Sequence, residues 1–264
     1  MLSAVSADDS LAPLLADLAA EQDALDGVVG GLDDRGWDTP TPAPGWTVRH
    51  VISHLTYFDE QAALTGTDPA AYEAGRDAAL ADLESFDTDG PYVTDAPAEL
   101  LGRWRAGRAA LLGAFDGLDP STRLPWYGPP MSARSFLTAR LMETWAHGVD
   151  VTDALGLAPM ASERLRHVVH LGVVTRGWSY AVRGRVAPAA DVHVALVSPG
   201  GEPWSWGDPA AADRIEGPAL DFCLAVTQRR PIDRLDLRAT GDAAADWLSV
   251  AQAFAGGATS TTRA

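Results

Sequence analysis

Arg140-Leu-Met-Glu143-Thr-Trp-Ala-His147-Gly-Val-Asp150 is the stretch from which the rest of the chain can be read. It lies in a run that the spacing predicts as a long helix, about Ser132 to Leu155, with Gly156 as the stop. On a helix, residues four apart stand on one face with Cβ atoms about 5–6 Å from each other. Glu143 and His147 therefore project together, close enough to share one metal ion. A carboxylate and an imidazole so arranged need one further ligand from another helix to make a three-ligand site.

Three other long helices precede this one. Leu14, Leu15, Leu18, Leu25, Val28 and Val29 recur at helical spacing between about Ser10 and Leu32, and Gly30-Gly31 ends the run. Three prolines and a glycine between Trp37 and Trp46 require a loop. Thr47 is then a natural N-cap for a helix that reaches about Leu64. A shorter helix is expected over Pro69–Leu83, with breakers at Asp89-Gly90-Pro91. The third long helix runs from about Pro97 to Leu118 on a stripe of Leu100, Leu101, Trp104, Leu111, Leu112 and Phe115. A loop from Asp119 to Pro130, carrying Trp126-Tyr127, leads into the opening stretch. Four long helices joined by such loops predict a four-helix bundle over residues 1–158.

The periodicity changes beyond it. Ser162–Val182 reads as one helix, and Val192–Val197 and Glu202–Trp206 as two strands about a Ser198-Pro-Gly-Gly201 turn. Pro218–Thr227 reads as helix, Leu235–Ala239 as strand and Ala243–Phe254 as a last helix, before a frayed Gly256-Gly-Ala-Thr-Ser-Thr-Thr tail. Residues 159–264 are thus expected to form a small α+β domain, and the chain as a whole to be mainly α.

The helix after Trp46 holds two histidines that can supply the missing ligand, His50 and His54. They are four apart and can face the same way, so spacing leaves the choice open. A glutamate and histidine on one bundle helix, with a histidine on another, is how bundle metal sites are built.

Composition narrows the chemistry. Asp and Glu number 36 against 20 basic residues, a net charge of −16. That argues against nucleic acid, whose phosphates need clustered cations, and against an anionic membrane surface. All the basic residues are arginine; with no lysine, Schiff-base, pyridoxal and P-loop chemistries are excluded. Cys223 is the single cysteine and sits in an apolar run, so an internal disulfide and a multi-cysteine zinc site are excluded. Any thiol used in catalysis comes from outside the chain. The first residues show no basic region before an apolar run, and no stretch is long enough to span a bilayer, so the expected location is cytoplasmic.

Pro42-Ala-Pro-Gly45-Trp46-Thr47-Val48-Arg49-His50-Val51-Ile52-Ser53-His54-Leu55 resembles the motif of the DinB-like metal-binding bundles, a superfamily that includes mycothiol-dependent maleylpyruvate isomerases and mycothiol S-transferases. In that pattern Gly-Trp-Thr/Ser-Val precedes a His-Leu pair, and Glu-x-x-x-His-Gly-x-Asp follows on the fourth helix. The resemblance puts His54 at the His-Leu position and Glu143 and His147 at the later pair, leaving His50 outside the metal shell. Ile215–Arg230 and Trp247–Gly256 are similar to an actinobacterial subgroup of the same superfamily, which extends the likeness over most of the chain.

The resemblance implies a divalent metal, zinc first and nickel or iron next, held by His54, Glu143 and His147. Two histidines and a carboxylate leave positions free, as in catalytic zinc sites. It also implies mycothiol as thiol cosubstrate, for S-transfer to a small electrophile or for its thiol-assisted isomerisation. The competing readings are a thiol-independent metal-dependent hydrolase or lyase, and a non-catalytic small-ligand-binding protein. Arg140 and Asp150 are the candidate catalytic residues: Arg140 to steady Glu143, unless it only forms an ion pair, and Asp150 to orient an imidazole. Trp46 and Trp145 read as packing, His167 and His170 as solvated, and His193 has no ligand partner in view. Specificity is expected from residues 66–92, 119–131 and the second domain.

Overall fold

Apolar stripes turn inward on four long helices of the first unit. In chain order its elements are α1 (Ala12–Val29), a single turn α2 (Asp34–Trp37), α3 (Val48–Thr67), α4 (Pro69–Ala81), α5 (Pro97–Phe115), β1 (Arg123–Leu124), β2 (Met131–Ser132) and α6 (Ala133–Ala154). The computed structural model describes residues 10–81 and 88–259, and the chain divides into two compact units, Met1–Pro159 and Met160–Ala264. The last two residues of the helix expected over 69–83, and the tail beyond Thr259, lie outside the described residues. Among the described residues no helix is long and apolar enough to cross a membrane.

In the bundle α3 packs chiefly on α5 and α1 on α6. Leu18, Leu25, Ile52, Leu55, Trp104, Leu111, Phe115, Phe136 and Trp145 are all buried between them. Gly66 permits the close approach of α3 to α5: a Cβ there would stand 3.1 Å from that of Ala114 and 3.3 Å from the Phe115 ring. The loop expected over 119–130 is partly ordered as a two-stranded hairpin, pairing Arg123 with Ser132 and Leu124 with Met131. Ser132 then caps α6, its hydroxyl accepting the Ser135 N–H at 3.2 Å.

One buried polar group comes from each long helix. Asp59 on α3 accepts from Arg140 of α6 (Nη2 at 2.8 Å, Nε at 3.2 Å) on one carboxylate oxygen. On the other it accepts from Trp104 of α5 at 3.3 Å and from Gln22 of α1 at 3.4 Å. All four residues are buried, Asp59 completely.

The second unit begins with α7 (Leu165–Val174) and α8 (Arg176–Ala181). The single helix expected here is broken at Thr175, whose hydroxyl turns back onto the Leu171 carbonyl at 2.7 Å. A four-stranded sheet follows in the order β4-β3-β5-β6, with β3 (Val192–Val197), β4 (Pro203–Trp206), β5 (Asp213–Pro218) and β6 (Arg238–Thr240), and with α9 (Ala219–Val226) and α10 (Asp242–Val250) between and after the last two strands. The β3–β4 hairpin is the expected one, whereas β5 was not anticipated. It runs parallel to β3, with Val194 opposite Ile215, and antiparallel to β6. β6 starts three residues later than expected, after a single helical turn at Ile232–Arg234. α10 stops at Val250 because the next backbone groups bond elsewhere: Gln252 N–H to the Ser179 hydroxyl at 3.0 Å and Ala253 N–H to the Val226 carbonyl at 2.8 Å.

Candidate metal centre

Thr47 opens α3, and His50 is used at that opening. The Thr47 backbone N–H donates to His50 Nδ1 at 3.2 Å, and the Thr47 hydroxyl lies 2.8 Å from the same nitrogen. This is the reciprocal arrangement of a capping box, with histidine in the place usual for glutamate. The other ring nitrogen of His50 faces Asp89 at 3.7 Å. The geometry gives the two histidines different neighbours: His50 secures the helix end, and His54, one turn on, reaches the Glu143–His147 pair of α6.

His54, Glu143 and His147 each offer one ligand atom, and the three atoms lie within 4.8 Å of one another. Glu143 Oε2 and His147 Nε2 are 3.5 Å apart. Donors bound at about 2.0–2.1 Å around a tetrahedral ion are separated by about 3.3–3.4 Å, so this pair is already near chelating distance. Each imidazole meets an oxygen at Nδ1, the arrangement that leaves Nε2 for a ligand role. His54 Nδ1 is 2.5 Å from the Thr88 carbonyl, which can only accept, so the ring's lone pair sits on Nε2. His147 Nδ1 is 3.2 Å from a carboxylate oxygen of Asp150, itself buried, which leaves Nε2 toward Glu143 in the same way.

The Thr88 carbonyl is held in place by a staple onto α3. Gly90, at φ +80°, lies so close over the Ser53 carbonyl that a Cβ would come within 2.9 Å of it. Tyr92 N–H donates to the Ser53 hydroxyl at 3.1 Å, and its own hydroxyl donates to Glu60 at 2.5 Å. Arg103 of α5 covers the Tyr92 ring at 4.4 Å. Nothing in the spacing of the α3 histidines pointed to Thr88. The Gly90-Pro91 breaker did mark a turn, but not that it would close over α3.

Electrostatics agree with a ligand set. Burial drives the His54 pKa down to about 3, helped by the neighbouring His147, so the ring is neutral. Burial alone would raise Glu143, but its contact with His147 and the charge of Arg140 outweigh it and hold the carboxyl at about 2. Arg140 makes its hydrogen bonds to Asp59 and acts on Glu143 only through its charge. Trp46 flanks both histidines, stacked on His147 at 5.9 Å and tilted against His54 at 5.3 Å. Trp145 is a buried packing residue. Cys223 is fully buried in α9 and burial pushes its thiol well above the usual range. In the second unit His193 is buried on β3, 3.5 Å from the Ser205 hydroxyl.

A bundle with this polar constellation on α3 and α6 has the DinB-like fold. The chain belongs to the family described as the mycothiol maleylpyruvate isomerase N-terminal domain, whose model matches residues 18–152. Two solved structures share the fold of most of the chain. The crystal structure of mycothiol-dependent maleylpyruvate isomerase aligns with a TM-score of 0.55 at 16% identity, covering 83% of this chain and 89% of that one. A histidine-to-alanine mutant of that enzyme aligns at 0.54 and 15%, covering 86% and 92%. In sequence, uncharacterised proteins from two strains of Mycobacterium tuberculosis are each 48% identical over 246 residues, 92% of this chain and 96% of theirs.

Proposed function

We propose that the protein is a cytoplasmic, metal-dependent enzyme that uses a low-molecular-weight thiol, with mycothiol the candidate its family suggests, for S-transfer to a small electrophile or for its thiol-assisted isomerisation. The observation that carries this reading is the convergence of one carboxylate and two imidazoles within 4.8 Å, with both Nδ1 atoms occupied by acceptors. Neutral imidazole and ionised carboxylate suit zinc first, and nickel or iron on the same donor set. Three protein ligands leave room for an exogenous one.

The bound ion would supply the positive charge that brings a thiol's pKa toward neutrality. The protein's own residues do the rest of the positioning. Thr88 and Asp150 orient the imidazoles, the Arg140 charge keeps Glu143 anionic, and Trp46 flanks the ring faces. Since Cys223 is sealed in the second unit, the nucleophilic sulphur is external. Adding that sulphur and a proton across a carbon–carbon double bond leaves a single bond free to rotate. Loss of both restores the alkene as its isomer and returns the thiol.

Elemental analysis of the purified protein, with and without His54→Ala, tests the ligand set. Wild type should carry stoichiometric metal, and the variant should lose it with an unchanged helical circular dichroism spectrum. Metal retained in the variant overturns the assignment. Turnover of electrophilic probes should require the thiol; turnover indifferent to thiol would instead favour a hydrolase or lyase that activates water at the same residues.

A further inference from the structure

The staple over α3 is part of a longer strap, residues 88–95, tied down at several turns of that helix. The Asp95 carbonyl accepts from Arg49 Nη1 at 2.6 Å. Tyr92 N–H donates to the Ser53 hydroxyl at 3.1 Å, and the Tyr92 hydroxyl reaches on to Glu60 at 2.5 Å. Burial and the Glu60 carboxylate push the Tyr92 pKa up to about 12, so the phenol keeps the proton it donates. Glu60 is itself seated against α5, where a Cβ on Gly107 would stand 3.3 Å from its Cγ. Arg103, also on α5, covers the Tyr92 ring at 4.4 Å and lies 3.4 Å from an Asp95 carboxylate oxygen. The strap is thus held from two helices, α3 and α5.

At Thr88 the strap meets the triad. The Thr88 carbonyl can only accept, so its 2.5 Å contact with His54 Nδ1 requires a proton on that nitrogen. A neutral imidazole without such a partner can carry its proton on either nitrogen, and the Nε2–H form cannot ligate through Nε2. Where Thr88 sits depends on Gly90, two residues on. Gly90 has φ +80°, and a Cβ there would come within 2.9 Å of the Ser53 carbonyl and 3.1 Å of both the Ser53 hydroxyl and the Tyr57 Cβ. Those atoms belong to α3, with Ser53 fully buried, so a side chain at Gly90 must lift the strap and not shift the helix.

We propose that this strap sets the tautomer and ring orientation of His54, which makes Gly90 and Tyr92 positioning residues of the metal site, acting through the Thr88 carbonyl. The inference rests on the metal reading above and deepens it. The ligands come from α3 and α6, and the strap fixes which nitrogen of His54 is available to the ion. Affinity is then governed in part from α5, because the Tyr92 ring and the Glu60 stem are both held there. Asp150 has the corresponding task for His147 from within its own helix. The Thr88 partner is remote in sequence instead, and it can be displaced with α3 and α6 left intact.

Ring state and metal affinity can be read separately on the full-length protein. Two-bond proton–nitrogen spectra of metal-free, histidine-labelled protein should show His54 with its proton on Nδ1. Gly90→Ala should shift it toward the Nε2–H form and weaken zinc about 10–100-fold in chelator competition. Tyr92→Phe should weaken zinc about fivefold, since one hydrogen bond is lost and the rest of the strap stays. Gly117→Ala is the matched control: its φ is +74° and nothing lies within 4 Å of the added Cβ, so it carries similar backbone strain and should keep wild-type zinc affinity. An unchanged His54 tautomer in Gly90→Ala overturns the strap. Equal zinc loss in Gly117→Ala also overturns it, by making the effect one of general stability. A shifted tautomer with wild-type zinc affinity overturns the link to the metal. Wild-type protein that binds no zinc, with the tautomer shift still present, rejects the metal reading alone and leaves the strap's hold on His54 assigned.

Discussion

Helices α3 and α6 carry two polar clusters in one bundle, and they are built on opposite principles. Around Asp59 each carboxylate oxygen is taken by protein donors drawn from the three other long helices. Around Glu143 the neighbouring groups are imidazoles whose Nδ1 protons point away, to Thr88 and Asp150, so that acceptor atoms converge. The first cluster matches donors to acceptors and needs nothing further. The second brings together side-chain atoms of the kinds that ligate metals, within 4.8 Å of one another. The difference separates a group that ties α3 to α6 from one whose spacing across the same two helices suits the proposed metal.

Breaking the matched cluster should have the largest effect. Asp59→Ala strands the Arg140 guanidinium, which is 4% exposed, in the bundle core. Removal of one partner of a buried ion pair costs about 3–5 kcal/mol, and urea unfolding should show a loss of that size. Replacing both partners, Asp59→Leu with Arg140→Met, should recover much of it, because the burial penalty of both charges disappears together. A double variant no more stable than Asp59→Ala would mean that the hydrogen bonds to Trp104 and Gln22, rather than the stranded charge, account for the loss.

The converging cluster should respond in binding. Asp150→Ala removes the acceptor that sets the His147 tautomer and should weaken zinc affinity about 10–100-fold, measured by competition with a chromogenic chelator. Metal should still be retained at high zinc, in contrast to His54→Ala. An Asp150→Ala protein with wild-type affinity would show that the helix alone orients His147.

Local pattern made part of this visible beforehand. Helical spacing put Glu143 and His147 on one face, and the glycine and proline breakers marked where the bundle helices stop. Motif likeness, not spacing, separated His54 from His50. What periodicity does not encode is contact between distant segments: Asp59 meets Arg140 across 81 residues, and Thr88 meets His54 across 34. Arg140 illustrates the limit. Its position one turn before Glu143 suggested either a side chain facing the site or a surface ion pair; it forms an ion pair, but a buried one, to a carboxylate on α3 that nothing in its own helix announces. In the second unit β5 escaped because Asp213–Pro218 is short, mixed in polarity and ends in Gly-Pro; it is a strand because β3 and β6 flank it on both sides.

His50 tests whether the two histidines of α3 have separate work. His50→Ala should destabilise the protein by about 1 kcal/mol through loss of the helix cap, leaving metal stoichiometry as in wild type. Loss of metal in His50→Ala would mean that the start of α3 must be capped for His54 to stay in register, merging the two roles.

The smallest effect should come from a third polar cluster, an arginine-paired carboxylate nearer the surface than Asp59, in which the Arg105 side chain is 51% exposed. Asp26 of α1 accepts from Arg105 Nε at 2.8 Å and from Arg108 Nη2 at 2.7 Å, both on α5. The Arg105 hydrogen bond, with the charges of both arginines, holds its carboxyl below the usual range against the opposing pull of burial. A carboxyl depressed in the folded state stabilises the protein above its unfolded pKa, about 3.9, and loses that contribution as pH falls through the folded value. Asp26→Asn should therefore lower stability at pH 7, by less than the loss of the cap because exposed pairs are screened by water and salt. The gap to wild type should narrow as pH drops below about 4 and should also shrink in high salt, as read from urea midpoints. A gap independent of both would mean that packing of α1 on α5, and not charge, is what Asp26 contributes, which would remove the contrast with Asp59 that burial is held to create.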